Sequence, residues 1–457
     1  MRMRLMEHLT LNDVSGFEAA SAYMEEAAAL GSRPGLERIR ALCSFLGDPQ
    51  DDLSFIHIAG TNGKGSTGVM IASALHACGL CTGMYYSPAV CGIKDHYMTD
   101  GAIISDEDYA SAVSTVAAAN KKLTESIGEG ATQFELETAV AFLYFKSKNC
   151  DVVVLETGMG GTEDATNIVR NKICAVITSV SYDHMQYLGN TISEIASAKA
   201  GIITSDHPVI MLGSSPEVIE VVKNRCRETG SELYIADPVK IKMTHDLPAG
   251  EIIDYDKFAS VRIPLSGRFQ GENAAVALTV LDVIRKRGLI PKADISDNAI
   301  RTGLAEVIWP FRFERISEDP LVMIDGAHNA DAARKLRQTI EERFDGYTII
   351  LVIGMFRDKE YDKVLGTLAT IAGTVITTEA PGNPRALPAK DLAKAASIYC
   401  TDTVAAGSVS DAYDIAAAAY KTAGEKSVII ACGSFAYLAE FRKWAEVQAG
   451  SSGRKEW

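Results

Sequence analysis

The stretch HIAGTNGKGSTG, His57–Gly68, is close to a phosphate-binding loop but misses its usual spacing. The common signature has a glycine, four free positions, then Gly-Lys-[Ser/Thr]. Here Ile58 stands at the first glycine position and Gly65 separates Lys64 from Ser66. The physical ingredients are nevertheless in order. FIHIAG ahead of the loop reads as a buried strand, and STGVMIASALHACG behind it carries helix formers with apolar spacing at Val69, Met70 and Leu75. Gly60, Gly63 and Gly65 let backbone N–H groups turn toward one point, Lys64 supplies a cation, and the helix N-terminus adds partial positive charge. Such a point suits a polyphosphate. A glycine-rich turn with an incidental lysine is the plainer alternative, disfavoured because strand, glycines, lysine and helix all follow in sequence.

Outward from this loop, strand-like runs alternate with helical stretches: FIHIAG, DVVVLETG, ICAVITSV, PVIML, then LVMIDGA, TIILVIGM, GTVITTEA and SVIIACGS. That rhythm predicts an α/β fold with largely parallel sheets. Residues 235–265 break it with what reads as short antiparallel strands and turns. An amphipathic helix from Asn273 to about Arg287 follows, then a helical segment Asp297–Val307, and IWPFRFE interrupts the pattern. The boundary is expected near 307, giving a P-loop-containing ATPase domain over 1–306 and a smaller Rossmann-like domain over 307–457, of about 150 residues.

With 457 residues, 47% apolar and 23% charged, the chain reads as a compact protein of two or three domains. A net charge of -14 argues against a general nucleic-acid binder and leaves room for a local basic pocket that takes a small anion. No apolar run approaches the roughly 20 residues needed to span a bilayer, and MRMRLMEHLTLND lacks a signal peptide's apolar core, so a cytoplasmic protein is expected. Nine scattered cysteines fit reduced thiols, and CGLC, Cys78–Cys81, reads as two packed thiols in preference to a zinc or redox pair.

Four further stretches put polar groups just past predicted strands, where open α/β sheets collect ligands. DVVVLETGMGGTEDATN ends a buried strand on Glu156, a position suited to Mg²⁺ coordination beside a phosphate loop, with a water-facing edge carboxylate as the alternative. AVITSVSYDHMQYLG delivers Asp183 and His184, and ISEIASAKAGII puts Lys199 on the next helix, where it otherwise reads as solvated. LVMIDGAHNADAARKL ends a strand on Asp325 and carries His328 and Asn329 into a helix start, where Asp325 and Asn329 also suit turn and capping roles.

Together with PGLERI, Ser87-Pro88, GRFQGENAA, WPFRFE, GMFRDKE and PRALPA, these stretches resemble the folylpolyglutamate synthase/dihydrofolate synthase family of the Mur ligase superfamily, in order along nearly the whole chain. In that family the loop reads GTNGKGS/T, so the glycine after Lys64 belongs to the pattern. The resemblance implies an ATP-dependent ligase that phosphorylates a carboxylate and lets the amine of L-glutamate attack the acyl phosphate, domain closure excluding water. It implies ATP phosphate contacts from Thr61, Asn62, Gly63, Lys64, Gly65 and Ser66, and Mg²⁺ held by Ser87, Glu156 and His184. Asn273, Arg312 and Asp325 would contact ATP from the domain junction, His328 would lie near the reacting centre, and Lys199 matches the family's carbamylated lysine.

The substrate is expected to be a reduced folate, with dihydrofolate synthase or a bifunctional enzyme as the alternative. The chain is expected to work as a monomer with small molecules only, no nucleic acid and no membrane. A cell-wall Mur ligase needs a nucleotide-sugar domain for which the 56 residues before His57 leave little room. A non-catalytic ATP-binding module is disfavoured by the second domain with its DGAHN stretch. Ala89 in SPAV for the family's histidine, KDHYMTDG for an arginine-containing stretch, Thr162 for arginine and Phe311 for glycine depart from the family pattern, mostly around the expected pterin side.

Overall fold

A computed structural model describes residues 15–28, 31, 33–90, 92–247 and 250–448, and the chain forms two compact units. The first runs to Lys242 and includes Asp254–Val261 and Glu272–Val307. The second takes Met243–Ile253, Arg262–Gly271 and the chain from Ile308 onward. The chain therefore passes between units several times before its last crossing after Val307.

The first unit is built on β1 (Phe55–Ala59), β2 (Thr82–Tyr85), β3 (Tyr97–Thr99), β4 (Ala102–Ile103), β5 (Val152–Glu156), β6 (Lys172–Ile177), β7 (Val209–Leu212) and β8 (Leu233–Ala236), in the order β4-β3-β2-β5-β1-β6-β7-β8. All neighbours from β2 to β8 pair in parallel, while β3 runs antiparallel to both β2 and β4. Every residue of β1 and β5 is buried, as expected of central strands covered on both faces. One face packs Phe55, Leu155 and Tyr85 with Val113, Val116 and Phe142 from the helices Asp106–Ile127 and Gln133–Ser147. The other packs Ala59 and Ile177 with Ala196 and Val222 from the helices Ile192–Ala200 and Pro216–Thr229. Register sets Ile58 opposite Glu156 on one side, and Ala59 opposite Ile177 on the other. The chain leaving β1 thus emerges between the ends of β5 and β6.

Three strands, β9 (Lys242–Leu247), β10 (Gly250–Tyr255) and β11 (Phe258–Ile263), form a separate sheet ordered β11-β10-β9. The next helix spans Arg268–Arg287, beginning five residues before Asn273 because Gly271 is carried inside its first turn. The following helix is Asp297–Ala305, whose end is closed by Glu306 N–H on the Thr302 and Gly303 carbonyls.

The second unit carries β12 (Glu314–Glu318), β13 (Leu321–Asp325), β14 (Thr348–Ile353), β15 (Thr374–Thr377), β16 (Thr403–Ala405) and β17 (Ser427–Cys432), ordered β12-β13-β17-β14-β15-β16. All pairs are parallel except β12–β13. Its core joins Leu351, Ile430 and Val375 to Leu336 and Leu365.

The eight described cysteines are free thiols, and the Cys81 sulfur lies 3.9 Å from that of Cys150, a contact the CGLC spacing does not reveal. Among the described residues no helix is long and apolar enough to cross a membrane.

Candidate active site

The loop after β1 is fixed by the backbone that leaves β6. Thr61 N–H donates to the Ser179 carbonyl at 2.6 Å, Thr61 Oγ1 exchanges 3.0 Å hydrogen bonds with the Ser181 backbone, and Thr178 Oγ1 donates to the Asn62 carbonyl at 2.9 Å. The three loop glycines do different work. Gly63 has φ +86°, the left-handed region that a side chain disfavours. Gly60 is required by close approach, since a Cβ there would lie 1.8 Å from Thr178 Oγ1. Gly65 does not turn the backbone: the helix Lys64–Ala77 has already begun, and Gly65 sits in its first turn with Ser66 buried behind it. Asn273 closes on this turn, its Oδ1 2.2 Å from where a Gly63 Cβ would stand.

Two lysines converge on one oxygen of the loop. Lys199 Nζ donates to the Gly60 carbonyl at 2.8 Å, and Lys64 Nζ donates to the same oxygen at 3.3 Å and to the Thr61 carbonyl at 3.4 Å. Lys64 Nζ also stands 3.5 Å from Glu156 Oε1. Lys199 is 3% exposed and Glu156 6%, which removes both plainer readings, the solvated lysine and the water-facing edge carboxylate. Burial first, and the charge of Lys64 second, hold the Lys199 ammonium down to about 7, so the free amine is abundant at neutral pH.

The glycine-rich turn after Glu156 packs directly on the helix that carries Lys199. A Cβ at Gly161 would lie 2.8 Å from the Ala198 and Lys199 carbonyls, and Thr162 donates to the Ala198 carbonyl through both its N–H at 3.0 Å and its hydroxyl at 3.2 Å. Further along, Asp164 accepts from Met159 N–H and from the Thr166 hydroxyl, whose oxygen lies 2.8 Å from His57 Nε2. Burial pushes the Asp164 carboxyl up and the His57 imidazole well down.

Ser87 lies two residues past β2 and His184 in the chain beyond β6. His96 Nδ1 donates to the Tyr86 carbonyl at 2.7 Å, bracing the backbone next to Ser87, and His96 Nε2 is 3.9 Å from buried Glu137. His184 has φ +51° at the start of the four-residue helix Met185–Leu188, with its side chain 40% exposed beside Asp183. Lys64, Lys199, Glu156 and Asn273 are thus gathered at the Gly60–Gly63 turn, and His184 Nε2 stands 3.9 Å from Asp183 Oδ1.

In the second unit, Asp325 accepts from Phe313 N–H and Ala327 N–H, both at 2.9 Å. Burial pushes its carboxyl up to about 6, against the pull of Arg312. The Arg312 guanidinium lies 5.3 Å from the Phe435 ring centre, and its buried Nε has no hydrogen-bond partner among the described residues. His328 stands 6.1 Å from the same ring and hydrogen-bonds the Gly326 carbonyl through Nδ1 at 2.9 Å. Phe435 therefore organises Arg312 and His328, with Gly326 obligatory because a Cβ would meet the ring at 2.2 Å. Asn329 caps the helix Ala330–Arg343 by accepting from Ala332 N–H at 2.9 Å.

Sequence reading missed Phe435 and the hydroxyls that clamp the loop. Phe435 lies 110 positions from Asp325, with nothing local to mark it. The Ser/Thr-rich run from Thr178 to Ser181 was the available signal for the clamp.

The chain matches the Mur ligase middle domain over residues 58–281 and the Mur ligase glutamate ligase domain over residues 311–435. It is 33% identical to the dihydrofolate synthase/folylpolyglutamate synthase of Bacillus subtilis over 94% of this chain and 99% of that one. It is 36% identical to the folylpolyglutamate synthase of Lacticaseibacillus casei over 80% of this chain and 87% of that protein. The solved Mycobacterium tuberculosis folylpolyglutamate synthase complexed with ADP and AMPPCP superposes with a TM-score of 0.85 at 31% identity, covering 96% of this chain and all of that one. Two α/β units of this type, the first with its glycine-lysine turn between parallel strands, define an ATP-dependent ligase of the Mur kind. Within that class, the chain belongs to the folylpolyglutamate synthase/dihydrofolate synthase family.

Proposed function

We propose that the enzyme adds L-glutamate to the terminal carboxylate of a reduced folate, giving a folylpolyglutamate, ADP and phosphate. The observation that carries this reading is the meeting of Lys64, Lys199 and Glu156 at the Gly60–Gly63 turn. A carboxylate is a poor acyl donor, and transfer of the γ-phosphoryl group to it creates a leaving group that the glutamate amine can displace. Charge accumulating on the transferred group would be met by Lys64 and by the N–H groups of Gly63–Ser66, oriented in advance, while the Asn62 N–H donates to Ser179 Oγ at 3.2 Å and fixes the start of that run. Thr61 would position the loop, and Asn273, Arg312 and Asp325 are assigned to nucleotide contact and His328 to the reacting centre. The buried, unpartnered Nε of Arg312 suits an anionic ligand.

Glu156 and Ser87 offer hard oxygen donors and His184 an imidazole, and these three would hold Mg²⁺. Such an ion would neutralise charge on the β- and γ-phosphates. The division in chain order into an ATP-binding domain over 1–306 and a glutamate ligase domain over 307–457, with Met243–Ile253 and Arg262–Gly271 packed in the second compact unit, action as a monomer, and a cytoplasmic setting with free thiols complete the proposal.

Assay of the purified chain with ATP, L-glutamate and either tetrahydrofolate or dihydropteroate, with product masses read out, tests it. Mass gain by one glutamate with matching ADP release is expected, and ADP release indifferent to glutamate would overturn it. The Bacillus subtilis relative carries both activities in its name, so dihydropteroate ligation is the second reading that the same assay separates.

A further inference from the structure

A cavity of about 410 Å³, within the range of small-molecule pockets, opens where the strands of the first unit begin, at the opposite end from Gly60. Asp48, Gln50 and Asp51 reach it ahead of β1, Asn167 and Arg170 ahead of β6, and Arg40 from the helix Glu37–Phe45. Arg40, Arg170 and Asp51 are exposed at its rim, where water solvates them. Arg40, Arg170 and Asp51 make no side-chain hydrogen bond or ion pair with any described residue, and Asp48 Oδ1 accepts from Gln50 Nε2 at 3.1 Å. Two guanidiniums and two carboxylates thus line one cavity without neutralising one another.

The inner wall is tied to the catalytic turn. Asn167 Nδ2 donates to the Gly201 carbonyl at 3.1 Å and the Thr162 carbonyl at 3.3 Å, and its Oδ1 accepts from buried Lys172 at 2.9 Å. Gly201 is two residues from Lys199, so a ligand resting on Asn167 would press on the segment that carries that lysine.

We propose that this cavity binds an amino acid as its zwitterion, the carboxylate on Arg40 and Arg170 and the ammonium on Asp48 and Asp51. A ligand of one sign would leave one pair of side chains repelled, whereas a zwitterion engages both. Guanidinium–carboxylate pairing supplies directed, charge-assisted hydrogen bonds. The ligation proposed above makes L-glutamate the natural probe, but the site does not depend on that reaction.

Equilibrium dialysis of the full chain with labelled L-glutamate, without nucleotide or folate, tests the proposal. Saturable binding is expected in the wild type and in Lys64→Ala, and at least tenfold weaker binding in Arg40→Gln/Arg170→Gln and in Asp51→Asn, each shown by a melting curve to be folded. Glutarate, which lacks the ammonium, and inorganic phosphate should each compete at least tenfold less well than unlabelled glutamate. Absence of saturable binding in the wild type, undiminished binding in the double variant, or equal competition by glutarate or phosphate would overturn the site. Failure of the ligase reading would appear in the turnover assay instead, leaving the dialysis result standing.

Discussion

Lys64 and Lys199 share one acceptor, the Gly60 carbonyl, at 3.3 and 2.8 Å. Two ammonium groups on one oxygen repel each other, and the burial that dries the site makes the repulsion stronger. Glu156 Oε1, 3.5 Å from Lys64 Nζ, offsets the charge of Lys64, and Lys199, the more buried, is the one held down to about 7.

Lys64→Ala should therefore lower turnover by roughly 10²–10³-fold or more, the scale of losing a preorganised group aimed at developing charge. The loop itself should persist, because Thr61, Thr178 and Ser181 hold it without the lysine. A folded variant with near wild-type kcat would remove Lys64 from phosphoryl transfer.

The neutral amine of Lys199 is also the form that reacts with CO₂. Attack of its nitrogen on the carbon forms the N–C bond and releases one proton, leaving a carbamate whose two oxygens suit a hard cation better than an ammonium does. Incubation with ¹³CO₂ should give a carbamate carbon resonance that Lys199→Ala lacks, and that variant should lose most activity. An unmodified lysine in intact-protein spectra under saturating bicarbonate would refute the assignment.

Stability should rise with pH above neutrality. Lys199 and Lys172 are both held down to about 7 by burial, while an unfolded lysine titrates near 10.4. Between these values the unfolded chain binds more protons than the folded one, so raising pH through this window favours the folded state, and the cost of the two buried charges is fully present below about pH 7. Urea midpoints in CO₂-free buffer should increase from pH 7 to pH 8; above that, burial of Cys43, Cys174 and Cys226, which pushes their thiols up, works the other way as the unfolded thiols ionise. Lys172→Met should flatten the increase, and an unchanged slope would show that Lys172 is not the titrating group.

Phe311 stands where the family pattern has glycine, and its φ of +57° shows why glycine suits the position. Phe311→Gly would relieve roughly 1–2 kcal/mol of left-handed strain. It would also remove a fully buried ring, packed 6.3 Å from Phe435 and under the Arg442 guanidinium, and losing a buried phenylalanine costs about 3–5 kcal/mol. The packing term is the larger, so the variant should be destabilised by about 1–4 kcal/mol, taken as the difference. A raised melting temperature would mean that strain dominates.

How much of this was legible in the sequence follows from range. Runs such as Val152–Glu156 and Thr348–Ile353 announce central strands because burial on both faces demands unbroken apolar residues. β4 and β16, two and three residues long, sit at sheet edges where nothing demands such a run. Lys64 and Glu156 were visible because each closes or follows a readable strand. Burial of Lys199 was not, since a lysine at the end of a nine-residue helix looks solvated until the Gly60 carbonyl, 139 positions away, is placed against it.

Substrate choice is where this chain's departures bear most weight. Ala89 removes a histidine of the family pattern, and the replaced stretch KDHYMTDG brings in His96, which is 5% exposed and turned to the Tyr86 carbonyl and Glu137. With Nδ1 committed to the Tyr86 carbonyl, only Nε2 is left to meet a ligand. A pocket discriminates through polar groups that must be paired, so losing donors from the pterin side weakens the substrate that relies on them most. Dihydropteroate has no glutamyl tail and depends on pterin contacts alone, whereas a glutamylated reduced folate keeps its tail contacts. Steady-state assays at matched ATP and L-glutamate should therefore give a higher kcat/KM for the glutamylated folate. The reverse order would mean that other residues have rebuilt the pterin site, and would make dihydropteroate ligation the principal activity.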